Sequence, residues 1–436
     1  FLLCILHLPY IMVDASEVAD EGAQLTCKFV TKLPKELRVP EAALTVPANL
    51  TRYGLSQIIN HLLDLEMAKP FDFLINHELL RGTLQEHLSA RGASAEVVTE
   101  IEYIPLQLPP SPGPRTPHDD WIGSLVGGAQ GLISASYDGA VRCVRSDGGV
   151  ASVFVASARP LKALAVGGLG LAAAGDEGCV GVWELGPGGA VPAAPRQLVS
   201  LRGHTDAVAA LAFSPDSALL ASGGWDRGLH LWRSADAAEA AASGAPAPAA
   251  AKKRRVGKAE GAEAAAPAPV LDASAAELAG HTGAVSSLSW TREGRLASGS
   301  WDHSVRIWDA ETGAGVDTLT TGKAVYAVAA GGPGGALAVA GAEAPLRLWD
   351  PREWGEDVAP QRLRGHAGWV SALCWHGGRE HLLASASHDG TARLWDVRAS
   401  IPLHTLAGEG KLLAAAWAGQ VLGVGGEGRE VVTHTL

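Results

Sequence analysis

The chain has 436 residues, enough for two or three domains at about 100–200 residues each. Hydrophobic residues are 47% and charged residues 19%, which excludes a wholly disordered chain. The net charge of −11 argues against a surface that coats nucleic acid throughout. The five scattered cysteines (Cys4, Cys27, Cys143, Cys179, Cys374) show no C-x-x-C spacing, so they argue against a disulfide scaffold or zinc ribbon and fit a reducing compartment.

The opening run FLLCILHLPYIMV is shorter than the roughly 20 residues a membrane span needs, and no basic segment precedes it as in a signal peptide. It reads as upstream-translated or truncated sequence, with Met12 just inside, and 1–22 stay unassigned. Residues 23–107 have a different character. Strands are predicted over 23–30 and 37–46 around the polar turn TKLPKE. In YGLSQIINHLLDLE, residues Leu55, Ile58, Ile59, Leu62 and Leu63 form one apolar stripe at helical spacing, with Asn49 or Thr51 as a cap. FDFLIN (71–76), the short amphipathic TLQEHLSARG and the strand VVTEIEYIPL follow. This is the order of an α+β, β-grasp, ubiquitin-like domain. Residues 108–117 read as a Pro-rich linker.

From 118 onward a repeat governs the chain. Residues 202–233, 279–309 and 364–396 each carry Gly-His, an alternating apolar strand, a Leu-Ala-Ser strand, an Asp turn and a strand ending in Trp. Asp226 to Trp232, Asp302 to Trp308 and Asp389 to Trp395 share one spacing of six residues. His204, Ser222, Asp226 and Trp232 have the donors and acceptors for one hydrogen-bonded cluster; so do His281, Ser298, Asp302 and Trp308, and His366, Ser385, Asp389 and Trp395. These residues resemble the WD40 repeat. Weaker copies place turn acids at Asp138, Glu177, Glu343 and Glu427. The seven acids lie 38–49 residues apart except for one interval of 76, against about 40–45 for such blades. The expected fold is therefore mainly β: a seven-bladed WD40 β-propeller over 118–436, preceded by the ubiquitin-like domain. The last three strands leave no residues for a fourth in blade seven. The Pro-rich stretch around Ile104–Pro117 is one source for it, and a chain cut short is the alternative. The long interval holds an Ala/Pro/Glu insertion, 235–275, read as a solvated loop between blades three and four, with Lys252, Lys253, Arg254 and Arg255 as a nuclear-import cluster.

RYGLSQIINHLL (52–63), PFDFLINHELLR (70–81) and EIEY (100–103), followed by HDDW (118–121) opening a propeller, are similar to eukaryotic ribosome-biogenesis WD-repeat proteins of the Pescadillo–Bop complex, Ytm type. The Notchless type shares the module order but would carry eight blades. The resemblance implies a non-enzymatic assembly factor for the large (60S) subunit, needed for maturation of its rRNAs, in the nucleus, nucleolus and nucleoplasm. It implies as partners a Bop-type WD-repeat protein, Pescadillo, the pre-60S ribonucleoprotein and the ATPase midasin. Midasin's metal-ion-dependent adhesion site would take a carboxylate from the ubiquitin-like domain. Gly92, Ser94 and Glu96 match the family's Gly-x-Ser-x-Glu, which carries that role to Glu96. No cofactor, membrane or small-molecule substrate is expected, and no metal bound by this chain alone.

No H-E-x-x-H, phosphate loop or nucleophilic triad occurs, so an enzyme is not expected. A rival reading rests on Trp349-Asp350-Pro351-Arg352 and Trp395-Asp396-Val397-Arg398, which resemble the W-D-x-R of propellers that serve as substrate receptors of cullin-type ubiquitin ligases.

Overall fold

The computed structural model describes residues 23–65, 67–76, 78–89, 98–243, 268–350 and 360–436, and the chain divides after Leu108 into two compact units.

In the first unit, β1 (Gln24–Val30), β2 (Ala43–Pro47), α1 (Arg52–Leu63), β3 (Phe71–Ile75), β4 (Glu78–Leu79), α2 (Leu84–Ser89) and β5 (Thr99–Pro105) follow in order. The sheet runs β2-β1-β5-β3-β4, with β1 and β5 parallel at its centre. The α1 stripe buries Leu55 and Ile59 against Phe29, Phe73, Ile101 and Tyr103. The second strand is shorter than the sequence suggested, because Tyr103 competes for its start: the phenol accepts from Val39 N–H at 2.9 Å and donates to the Leu37 carbonyl at 2.7 Å. A side chain, not a ladder, satisfies that backbone. Thr51 occupies the N-cap of α1 without a side-chain bond. The reciprocal cap lies at α2, where Thr83 N–H donates to Glu86 at 3.0 Å and Glu86 N–H to Thr83 Oγ1 at 3.2 Å, a T-x-x-E signal readable in the sequence.

The second unit is a ring of seven sheets. Their inner strands are Ile122–Gly128, Leu161–Gly167, Val208–Phe213, Val285–Trp290, Val325–Ala330, Val370–Trp375 and Leu412–Ala418, for blades 1 to 7 in order. LKALAVGGLGLAAAG, Ala-rich yet in phase with the repeat, forms two strands, Leu161–Gly167 and Gly170–Gly175. Its small residues suit the crowding: a Cβ on Gly175 would stand 1.9 Å from the Pro160 carbonyl oxygen. Each apolar cluster belongs to two neighbouring blades. Leu383 and Trp395 of blade 6, for example, pack with Leu346 and Leu363 of blade 5. The last seam joins Leu412's blade back to Ile122 and Leu132 of blade 1 through Ala414 and Val431.

Two expectations are corrected. Most of the supposed linker 108–117 is a strand: Ser111–Pro117 pairs antiparallel with Glu430–Thr435 and supplies the fourth strand of blade 7. Its prolines are tolerated because this is an edge strand, where a missing N–H breaks no second ladder. The propeller therefore begins near residue 109, and the earliest residues of the ring close onto the latest. The insertion leaves from inside blade 3, between Leu229–Arg233 and Ala276–Glu277, because the outermost strand of a blade opens the next sequence repeat. Nor is all of it solvated loop. Helix α3 (Ser234–Ser243) seats Ala237, fully buried, among Val199, Leu201 and Trp232, and Val270–Leu271 adds a parallel fifth strand to blade 2. The insertion thus clamps blades 2 and 3 along their rim.

Candidate functional site

Blades 3, 4 and 6 bring each predicted quartet together. In blade 4, Trp308 Nε1–H donates to Ser298 Oγ at 2.8 Å, Ser298 lies 2.7 Å from His281 Nε2, and His281 Nδ1 lies 2.8 Å from Asp302. In blade 6, Trp395, Ser385, His366 and Asp389 repeat the chain at 2.8, 2.7 and 2.8 Å. In blade 3, Trp232, Ser222, His204 and Asp226 repeat it at 2.9, 2.9 and 3.0 Å. An ionised carboxylate only accepts, so Nδ1 carries the proton and Nε2 accepts from the serine. Protons therefore run one way, from indole to hydroxyl to imidazole to carboxylate.

Burial favours neutral imidazole and holds His281 and His366 below the ordinary 6.5, outweighing the neighbouring carboxylates. Burial also pushes the Asp302 and Asp389 carboxyls up. Hydrogen bonds from Ser304, Thr282 N–H and His281, and from Thr391, Ala367 N–H and His366, outweigh it and leave both well below the carboxylate range.

Elsewhere in the ring the quartet is incomplete. Blade 1 keeps His118 against Ser134 at 2.7 Å, but Val144 stands in the tryptophan's place and Asp138 binds Arg142 at 2.8 Å. In blade 5 the register opposite Arg347 holds Val339, where blade 4 has Ser298 opposite Arg306, so Trp349 has no hydroxyl to meet. Glu343 pairs with Arg347 instead. In blade 2, Ala173 takes the serine's register; Glu177 is exposed and the preceding Asp176 pairs with Lys162 at 2.6 Å. Blade 7 needs a correction. Glu427 N–H donates to Lys411 O as Trp301 N–H does to Ala284 O, so Glu427 matches Trp301 and Gly428 stands at the acid's position. His434, paired with Leu422, then takes the tryptophan's place. Thr433 Oγ1 donates to Pro114 O at 2.8 Å across the ring closure.

The ligand atoms of His204, Asp226 and His230 lie within 4.8 Å of one another, a spacing open to a metal. Both ring nitrogens of His204 already meet Asp226 and Ser222, and His230 Nδ1 meets Ser274 Oγ at 3.1 Å. His230 also holds the register that Arg142, Arg306, Arg347 and Arg393 hold in other blades, a position of cations. The group is part of the hydrogen-bonded frame. Among the described residues Cys27, Cys143, Cys179 and Cys374 are free thiols. Burial pushes Cys27 up to about 11 and Cys374 up to about 12, so neither is a thiolate at neutral pH.

Two sequence-derived sites lie outside the described residues: Glu96 with Gly92 and Ser94, and the basic cluster Lys252, Lys253, Arg254 and Arg255. Arg398, of the second W-D-x-R, is bound by its own Asp396 at 2.9 and 2.7 Å. The predicted quartets account for three of the chain's thirteen tryptophans. Trp232, Trp308 and Trp395 serve the clusters, but Trp121, Trp225, Trp301 and Trp369 are exposed. For Trp225 and Trp301 a signal was available: in S-G-G-W-D and S-G-S-W-D the tryptophan directly precedes the acid of the quartet.

These features define a seven-bladed WD-repeat scaffold that carries a ubiquitin-like module. A family model described as the NLE (NUC135) domain matches residues 25–88, and the WD domain, G-beta repeat, matches 195–233, 273–309 and 359–396. Along nearly its whole length the chain is similar to proteins named ribosome biogenesis protein WDR12 homolog. The one from Chlamydomonas reinhardtii is 42% identical over 92% of this chain and 93% of its own, and that from Oryza sativa subsp. japonica 34% identical over 93% and 94%. The ribosome biogenesis protein YTM1 of Vanderwaltozyma polyspora is 31% identical over 90% of each chain. The chain belongs to this WDR12/YTM1 family of ribosome biogenesis proteins.

Proposed function

We propose that the chain is a non-enzymatic assembly factor of the large ribosomal subunit, acting in the nucleus, nucleolus and nucleoplasm. Its propeller scaffolds a Bop-type WD-repeat protein and, through it, Pescadillo on the pre-60S particle. Its ubiquitin-like domain offers Glu96 to midasin, whose metal site keeps one coordination position for a partner's carboxylate; midasin's ATPase then releases the factor. The observation that carries this reading is the pairing of an NLE-type domain with a WD-repeat ring, at 31–42% identity over at least nine-tenths of the chain. The role of Lys252–Arg255 as an import signal belongs to the same reading.

Affinity purification of the tagged full chain from nuclear extract, wild type beside Glu96→Ala, tests it. Recovery of Pescadillo, the Bop-type protein and large-subunit proteins with both chains, and loss of midasin alone from the variant, is the expected result. Retention of midasin by Glu96→Ala would overturn the site. The ligase-receptor reading is weakened by the chelation of Arg398 within its own W-D-x-R; it would return if cullin-ligase components dominated and Arg398→Ala removed them.

A further inference from the structure

The ubiquitin-like unit is joined to the ring by one stretch of chain, and that stretch runs straight into the strand that closes blade 7. Leu106 N–H still donates to Pro70 O of the first unit at 3.1 Å, and Ser111 already pairs with Thr435. Only residues 107–110 lie between. Two of them are proline, and fully extended the four span about 14 Å, too little slack to absorb a displacement. β5, which leads into this connection, is clamped on both sides, by β1 and by β3. It is already extended, so tension applied just ahead of it, where Glu96 stands in the sequence, passes along its backbone with little lengthening.

Tension therefore arrives at Ser111, the first residue of the closing strand. Three of the seven residues of Ser111–Pro117 are prolines that bring no N–H to the ladder, and the register breaks between the Val432 and His434 pairs. Of its side chains only that of Thr116 is buried. Ser111 Oγ donates to Thr435 O at 3.2 Å and Thr433 Oγ1 to Pro114 O at 2.8 Å. Arg115 meets Glu409 and Glu430 at 2.7 and 3.3 Å, an exposed pairing that salt screens. At rest all these ties hold together, and the strand completes the blade. A pull drawn across the ring from Ser111 takes them one after another, as a zipper opens. The opening ends at His118, whose N–H donates to Arg429 O at 2.7 Å and whose Nε2 lies 2.7 Å from Ser134 Oγ, with Ile122 fully buried beyond it.

We propose that Ser111–Pro117 is a tension-released latch: a pull on the ubiquitin-like unit peels this strand from blade 7 as far as His118 and opens the ring between blades 7 and 1, while both units keep their cores. Opening bares the edge of Glu430–Thr435 and unpins the seam where Val431 packs with Ile122 and Leu132. The strand stays tethered at His118, so on relaxation it re-pairs locally, on about the 1–10 μs scale of a hairpin, and the chain is recovered folded. The latch deepens the release step of the proposed function and rests on that reading only for the source of the pull.

The test is optical-trap pulling on the full chain, with DNA handles attached through azide-bearing residues placed at Val98 and Glu293. Both positions are exposed; Val98 directly precedes β5, and Glu293 lies in the turn after the inner strand of blade 4, across the ring from the seam. Ser111 sits at the same end of its blade, since its partner Thr435 pairs with Val421 and Val421 with Ala418 at the close of the inner strand, so the pull crosses the strand instead of running along it. The expected first event is a contour gain of about 24 Å, seven residues at 3.3–3.6 Å each, that reverses on relaxation and precedes the larger steps of ring unfolding. Thr433→Val, which removes the hydroxyl bond to Pro114, should lower the force of that event and of no later one. Ser111→Cys with Thr435→Cys, opposite each other in register, should abolish it when oxidised and restore it with dithiothreitol. Ring unfolding with no small step before it, a small step that survives the crosslink, or loss of the ubiquitin-like fold first would each overturn the latch. Midasin is absent from this assay, so the latch and the Glu96 reading fail independently.

Discussion

Blades 4 and 5 stand side by side, share the strand register, and complete their third turn in different ways. Blade 4 threads Trp308, Ser298, His281 and Asp302 into one buried chain of donors and acceptors, whereas blade 5 has Val339 in the serine's register and leaves the turn to the Glu343–Arg347 pair. The Asp302 side chain is 8% exposed and that of Glu343 is 32%. A buried, fully satisfied network is costly to open, since removing one member strands the others without water. A half-exposed ion pair contributes little and is screened by salt. The ring therefore has firm sectors at blades 3, 4 and 6 and looser ones at 1, 2, 5 and 7, although every seam is packed with apolar side chains.

The widest departure from this contrast is expected at blade 7, whose firmness comes from outside its own repeat. A chain beginning at Pro109 should unfold cooperatively. One beginning at His118 lacks Ser111–Pro117 and should lose more than about 4 kcal/mol or fail to fold, beyond what single substitutions usually cost. Urea denaturation of the two truncations decides this. Next in size, Asp302→Ala should cost about 3 kcal/mol, because His281 and the Thr282 N–H both lose their acceptor. Glu343→Ala should cost less than about 1 kcal/mol, and only its effect should shrink in 1 M salt. Equal losses in the two variants would erase the distinction between the blades.

Acid offers a third probe. His281 and His366 bind protons more weakly in the folded chain, so the unfolded chain takes them up first and stability falls as pH drops below the ordinary 6.5. Asp302 and Asp389 act with the same sign: their contribution is complete above 3.8 and is lost as pH falls below it. Denaturation midpoints measured from pH 8 to 3 should decline in those two stages, and Ser298→Ala should flatten the first. The smallest effect concerns the turn after the acid. Gly390 adopts φ 77 there in blade 6, whereas His303 holds φ 70 in blade 4, a left-handed conformation that disfavours a side chain. His303→Gly should stabilise by about 0.5 kcal/mol in the same assay, the relief being partly offset by the entropy of glycine.

Much of the architecture was legible because repetition makes weak signals add. The fixed spacing from Asp226, Asp302 and Asp389 to their tryptophans marked the strong blades, and the Leu55–Ile59 stripe marked the helix of the first unit. Blade 7 was misread by one residue because Gly428 carries no acid to mark the turn; only the N–H of Glu427 on Lys411 O reveals the register. The strand ending at Pro47 was drawn too long, since nothing local announces that Tyr103, remote in sequence, will take over the backbone of Leu37 and Val39.

What the amino-acid sequence determined by itself is therefore what local pattern can encode: the period of the ring, the members of the three complete quartets, the helix of the ubiquitin-like unit and the acid-preceded turns. Tertiary structure alone decided the rest. It chose the proline-rich stretch over a chain cut short as the answer to blade 7's missing strand, folded the ends of an Ala-rich insertion onto blades 2 and 3, and aligned Trp225, Trp301, Tyr326, Trp369 and His388 into one surface. The physical reason is common to all three. A ring must satisfy its first and last edges with each other, and residues far apart in the chain become neighbours only when every blade is in place.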